Sequence, residues 1–150
     1  MTIAIESASI RHLNVLYEIE RRCFGREAFA RKQIANLLTD YNSVGLIARL
    51  DEKIVGFIIA AIYVERNAPV GHILTIDVAP ECRRMGIGFQ LLSKIEGLFK
   101  EKGVRNCYLE VREDNQAALN LYMKLGYCKV GKIEGYYGNA SGIYLRKALV

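Results

Sequence analysis

Arg83-Arg84-Met85-Gly86-Ile87-Gly88 is the stretch on which the fold turns. An apolar run, residues 73–78, precedes it, and an amphipathic run reaching Lys102 follows. That order predicts a strand, a glycine-containing turn and the first turn of a helix. Such a turn aims several backbone N–H groups at one anion, and the helix N-terminus adds partial positive charge. Arg83 and Arg84 add full charges, and Gly86 and Gly88 keep side chains out of the way. The stretch reads as a pyrophosphate cradle. Taken alone, it reads equally well as a helix start with small residues for close packing.

Two familiar cradles fit poorly. A dinucleotide loop needs a third glycine, where Leu91 stands, and the P-loop needs Gly-Lys-Ser/Thr, which is missing. The rest of the chain has to decide. With 150 residues it predicts one domain over 1–150 with a real core. Its 51% hydrophobic and 25% charged residues are ordinary for a globular protein. No apolar run is long enough to span a membrane, and the N-terminus has no basic segment followed by an apolar one. A cytoplasmic protein is expected. Cys23, Cys82, Cys107 and Cys128 are scattered without metal-ligand spacing, so no metal is expected and free thiols are. The net charge of +5 is dispersed, which disfavours nucleic acid and suits a polyanionic cofactor.

Along the chain, residues 2–6 predict a strand. Ser9 would cap a helix over 10–23, with Ile10, Leu13, Leu16, Tyr17, Glu20 and Phe24 on neighbouring turns. All of these but Glu20 are apolar or aromatic. Residues 24–29 form a loop bearing two aromatics, and 31–39 a second helix. Strands at 44–50 and 54–64 flank Asp51-Glu52-Lys53 as a hairpin, and Arg66-Asn67-Ala68-Pro69 breaks the pattern. A strand over 71–78, a helix over 86–102 and a strand over 106–111 follow. A helix capped by Asp114 or Asn115 then ends at Gly126. Strands at 127–134 and 143–145 enclose a loop at 135–139. The order β-α-α-β-β-β-α-β-α-β-β predicts an α/β fold, a mixed sheet with helices on both faces.

Four stretches in this order resemble the GNAT acetyltransferases. They are residues 72–80, the arginine-rich loop, Tyr108-Leu109-Glu110-Val111-Arg112, and residues 115–127, which read NQAALNLYMKLGY. The last two together resemble the N-terminal protein acetyltransferases of the bacterial ribosomal-protein, archaeal and eukaryotic catalytic-subunit types. The resemblance covers nearly the whole chain and is strongest from Gly71 to Tyr137.

The resemblance implies a splayed sheet with the pantetheine arm of acetyl-CoA in the gap. Backbone groups of Ile76, Asp77 and Val78 would pair with that arm. Arg83 belongs to the same loop, and the N–H groups of Arg84, Met85, Gly86, Ile87, Gly88 and Phe89 would hold the pyrophosphate. Asn115 would bond the cofactor, and Tyr122 would point its phenol at the sulfur. Asp77 departs from the small or apolar residue common there, so its side chain should face away from the anionic cofactor.

Glu110 is implied as the base for the attacking amine, with His72 second and a water shared between them. Tyr122 would serve the leaving thiolate. Phe24, Phe29, Tyr136 and Tyr137 would wall the groove for a protein or peptide N-terminus. Lysine or a small amine as acceptor, or a non-catalytic acyl-CoA-binding subunit, are the alternatives. An auxiliary subunit or the ribosome as partner stays open.

Overall fold

The computed structural model describes residues 2–149. Seven strands form one sheet in the order β1-β2-β3-β4-β5-β7-β6. They are β1 (Ile3–Ser7), β2 (Ser43–Leu50), β3 (Lys53–Glu65), β4 (Ala68–Val78), β5 (Asn106–Arg112), β6 (Cys128–Ile133) and β7 (Gly142–Ala148). Every neighbouring pair is antiparallel except β4 with β5. Helices α1 (Leu13–Phe24) and α2 (Arg31–Thr39) connect β1 to β2. Helix α3 (Ile87–Glu101) connects β4 to β5, and α4 (Gln116–Lys124) connects β5 to β6.

Apolar residues of β2 to β4 alternate between two cores, one on each face of the sheet. Leu16, Ile19 and Ile34 of α1 and α2 pack on Ile47, Phe57 and Ile59. Leu91, Ile95 and Phe99 of α3 pack with Ile58, Leu109, Leu145 and Tyr122 on the opposite face. A strand with both faces covered reads as a continuous apolar run, which is how residues 54–62 read. Gly71 sets how closely α3 can lie, because a Cβ there would stand 2.4 Å from the Phe99 ring.

Three element boundaries differ from the sequence reading by three residues: the starts of α1 and β4, and the end of β7, which runs on to Ala148 rather than stopping at 145. Helix α1 begins at Leu13 after a 3-10 turn, Ile10–His12, and Ile10 is exposed. Ser9 makes no side-chain cap; its backbone N–H donates to His12 Nδ1 at 3.0 Å. The predicted break over 66–69 is a two-residue hairpin turn. Arg66 and Asn67 both take left-handed backbone, with φ of 52° and 64°, which matches the twist of the flanking strands. Ala68 and Pro69 therefore belong to β4. Glu65 opposite Ala68 closes the turn as a hydrogen-bonded pair, so Pro69, opposite Val64, falls at a non-bonded site. Its missing N–H costs no ladder bond.

Strands β4 and β5 pair only at Gly71 with Cys107 and His72 with Tyr108. Beyond that point β3 holds β4 as far as Val78, and β7 holds β5 as far as Arg112. The two strands are pulled apart, and a gap opens between their C-terminal ends. Both α3 and α4 start at its rim, because each follows one of the two strands.

Candidate active site

The loop after β4 is shaped by two left-handed residues, Arg84 at φ 65° and Gly86 at φ 81°. Gly86 is the N-cap of α3, and the first helical bond runs from Gln90 N–H to Gly86 C=O at 3.0 Å. The N–H groups of Ile87, Gly88 and Phe89 therefore have no acceptor inside the helix. The Ile87 side chain is buried in the core, which turns its backbone toward the loop. Nothing lies within 4 Å of where a Cβ of Gly86 would be. An open, donor-rich helix terminus flanked by Arg83 and Arg84 fits a pyrophosphate. Asn115 caps α4 with Oδ1 accepting from Ala118 N–H at 3.2 Å, which leaves its amide hydrogens free to donate.

The backbone of β4 presents alternate residues to the gap. Ala79 N–H donates to Val55 C=O at 2.8 Å, so Gly56 and Val78 form a non-bonded pair and Phe57 and Asp77 a bonded one. Ile76 and Val78 thus turn their polar backbone groups to the gap, while those of Asp77 go to β3. In this respect Asp77 departs from the sequence reading. Its side chain faces α1, away from the gap, where it is buried with Thr75 and Glu20. Burial first, and Glu20 second, push its carboxyl well above the usual carboxylate range. The Val78 carbonyl accepts from Cys23 Sγ at 3.3 Å and Arg83 Nε at 3.4 Å.

His72 stands in the last paired rung of β4 and β5, opposite Tyr108, and meets the side chain of Glu110 from two residues further along β5. His72 Nε2 lies 2.9 Å from both Glu110 oxygens, so the two groups touch and leave no room for an intervening water. A carboxylate offers only acceptors, so Nε2 carries the hydrogen and Nδ1 presents its lone pair when the ring is neutral. Both side chains are partly open, 25% for His72 and 14% for Glu110. Tyr122 is buried on α4 with its ring edge-on to Tyr127, 6.0 Å between centroids. Burial, and then Asp77, raise its phenol above the ordinary value, so it keeps its hydrogen.

The two aromatic loops come together at Arg112, two residues beyond Glu110 on β5. Tyr136 and Tyr137 pack edge to face at 4.9 Å. Burial, then Tyr136 and then Glu110, push the Tyr137 hydroxyl up to about 12. Phe24 is exposed, and Phe29 is half-buried against the α1–α2 core. A 3-10 turn, Gly25–Glu27, lies between them. Arg112, which the sequence did not single out, joins the loops. It bonds Glu27 of one and Asn139 of the other, at 3.2 Å for the latter, and stacks over Tyr137 at 5.7 Å. An arginine at a strand end gives no sequence signal for such a clamp.

Among the described residues no group of three or more His, Cys, Asp or Glu could hold a metal ion. No helix among them is long and apolar enough to cross a membrane.

Residues 13–127 match the model of the Acetyltransferase (GNAT) family. An N-alpha-acetyltransferase of Sulfurisphaera tokodaii is 33% identical over 120 residues, covering 74% of this chain and 72% of that protein. The crystal structure of Ard1 from Thermoplasma volcanium superposes with a TM-score of 0.91 at 23% identity, covering 100% of this chain and 99% of that one. Arabidopsis thaliana NAA60 in complex with acetyl-CoA superposes with a TM-score of 0.86 at 21% identity, covering 98% of each chain.

Proposed function

The chain belongs to the GNAT acetyltransferase family, and on that footing we propose that it transfers the acetyl group of acetyl-CoA to the α-amino group of protein N-termini. The observation that carries the proposal is the His72–Glu110 pair, 2.9 Å apart at the mouth of the strand gap, on the strand whose Arg112 joins the two aromatic loops. Archaeal relatives such as the one from Sulfurisphaera tokodaii are named for this activity.

Acetyl-CoA supplies the activated acetyl group. The N–H groups of Ile87, Gly88 and Phe89, with Arg83, Arg84 and Met85 in the loop before them, would hold its pyrophosphate. Ile76 and Val78 would pair with the pantetheine arm through their backbones, and the Asn115 amide would donate to it.

The acceptor amine has to be neutral to attack. An α-amine with a pKa near 8 is roughly one-tenth neutral at pH 7, whereas lysine near 10.4 is neutral in only about one molecule in 2,500. A mild base therefore suffices for an α-amine. Glu110 and His72 act as one unit in this role. Glu110 holds Nε2–H and supports positive charge on the ring, and Nδ1 takes the proton directly or through water. Tyr122 offers its hydroxyl hydrogen to the sulfur. A phenol above pKa 10 beside a thiol near 8.5 donates a hydrogen bond more readily than it gives up its proton. Phe24, Phe29, Tyr136 and Tyr137 grip the first residues of the acceptor. Residues 1–150 act as one domain in the cytoplasm, with protein or peptide N-termini as acceptors and an auxiliary subunit or the ribosome as an optional partner.

The test is acetyl transfer to paired peptides with free and blocked N-termini, one of them carrying an internal lysine. Transfer confined to free termini is expected. Transfer that survives blocking would move the acceptor to lysine and overturn the proposal. Binding of acetyl-CoA without any transfer would also overturn it, in favour of a small amine or a non-catalytic role.

A further inference from the structure

Thr75 Oγ1 lies 2.9 Å from Glu20 Oε1 and 2.6 Å from Asp77 Oδ1. All three side chains are buried, Asp77 to 1% exposure. A hydroxyl has one hydrogen, so it can donate to only one of two carboxylates. The second contact is a hydrogen bond only if a carboxyl carries a proton. Two geometric facts place that proton on Asp77. Glu20 Oε2 accepts the backbone N–H of Phe29 at 3.0 Å, which favours its anion. Asp77 Oδ2 has no partner and is buried, a position far less costly for the carbonyl oxygen of a neutral acid than for a carboxylate.

The hydrogen bonds then run in one direction. Asp77 Oδ1–H donates to Thr75, Thr75 donates to Glu20, and Glu20 accepts from Phe29 of the α1–α2 loop. We propose that Asp77, Thr75 and Glu20 form a one-proton relay that fastens the α1–α2 loop to β4, so that Asp77 is a positioning residue for the acceptor groove. Its relevance to catalysis rests on the acceptor reading above; the relay itself does not.

The relay makes loop position depend on pH. Asp77 packs with Thr75 of its own strand and lies beside Glu20 of α1, and the other charged or titratable groups that feel it are Cys23 of α1, Arg83 of the following loop and, from the other face of the sheet, Tyr122 of α4. Arg83 is the only cation among them. While Asp77 is protonated, the chain of bonds is complete. When pH rises and it ionises, two carboxylates flank one hydroxyl, one contact turns repulsive, and the hold on Phe29 weakens.

Two readouts test this, one of them independent of any acceptor. Hydrogen exchange at the Phe29 amide, corrected for its intrinsic pH dependence, should be slow in the parent and speed up as Asp77 ionises. Thr75→Val should cost about tenfold in protection while Asp77 is protonated, as expected for the loss of one charge-assisted bond, and less once it ionises. Thr75→Ser should restore the parent behaviour. Asp77→Asn, whose amide donates to Thr75 without ionising, should remove the pH dependence. In steady-state assays the ratio of acceptor KM, parent over Asp77→Asn, should climb with pH. Thr75→Val should raise acceptor KM about tenfold with little change in kcat. A pH dependence of Phe29 exchange identical in parent and Asp77→Asn would overturn the relay, as would unchanged protection in Thr75→Val. If the parent acetylates no peptide, the acceptor reading fails and the exchange result alone decides the relay.

Discussion

Glu20 shows how much a single residue can disclose. It is the one charged position on the apolar stripe of α1, and a charge on a buried stripe needs a partner. The sequence shows the anomaly but not the answer, because Thr75 and Asp77 are more than fifty positions away. Arg112 gives no comparable signal; its role as a clamp exists only once two distant loops fold over it. The cradle glycines were legible as a pair, and the structure now separates them. Gly86 is required by its left-handed φ of 81°, so any substitution there strains the backbone. Gly88 is in ordinary helical backbone, and a Cβ would meet Val78 Cγ2 at a comfortable 3.8 Å. An acid in the first turn of α3 also suits the helix dipole, by about 0.3–1 kcal/mol. Gly88→Asp should therefore leave the melting temperature unchanged or slightly higher, while calorimetry shows acetyl-CoA affinity falling at least about tenfold. Undiminished affinity would remove this loop from cofactor binding.

At the scale of elements, β4 does most to create the site. It is held along its length by β3, touches β5 at only two rungs, and then leads into the cradle. Its existence was readable from the β-branched run, but its start was not. Proline at 69 looks like a breaker until the register shows it at a non-bonded site beside a two-residue turn. The start of α1 is hidden in the sequence for a similar reason: Ser9 has the chemistry of a cap, yet the chain takes a 3-10 turn first. Gly71 couples β4 to α3, since any Cβ would press into the Phe99 ring at 2.4 Å. Gly71→Ala should cost about 1–3 kcal/mol, as overpacking does. Chemical denaturation should register it as a lower midpoint at unchanged slope. A midpoint equal to the parent's would mean that α3 shifts freely over β4.

The whole sheet is what brings His72 and Glu110 together, 38 positions apart in sequence: His72 sits in the last rung that β4 and β5 share, and Glu110 two residues beyond its partner Tyr108. The α/β class, the helices on both faces and the order of elements followed from periodicity and turn residues. The distance between these two side chains did not, because register between non-consecutive strands is set by the packing of the intervening α3. The central claim is that this pair takes the proton from an α-amine. The most direct measurement is the pH profile of kcat/KM for Glu110→Gln against the parent, with a free-terminus peptide. Glutamine still accepts the His72 hydrogen bond but cannot balance a positive ring. A loss of about 10²–10⁴-fold is expected at neutral pH. Partial recovery should follow above pH 8, where the amine is already neutral. A mutant as active as the parent throughout that range would contradict the claim.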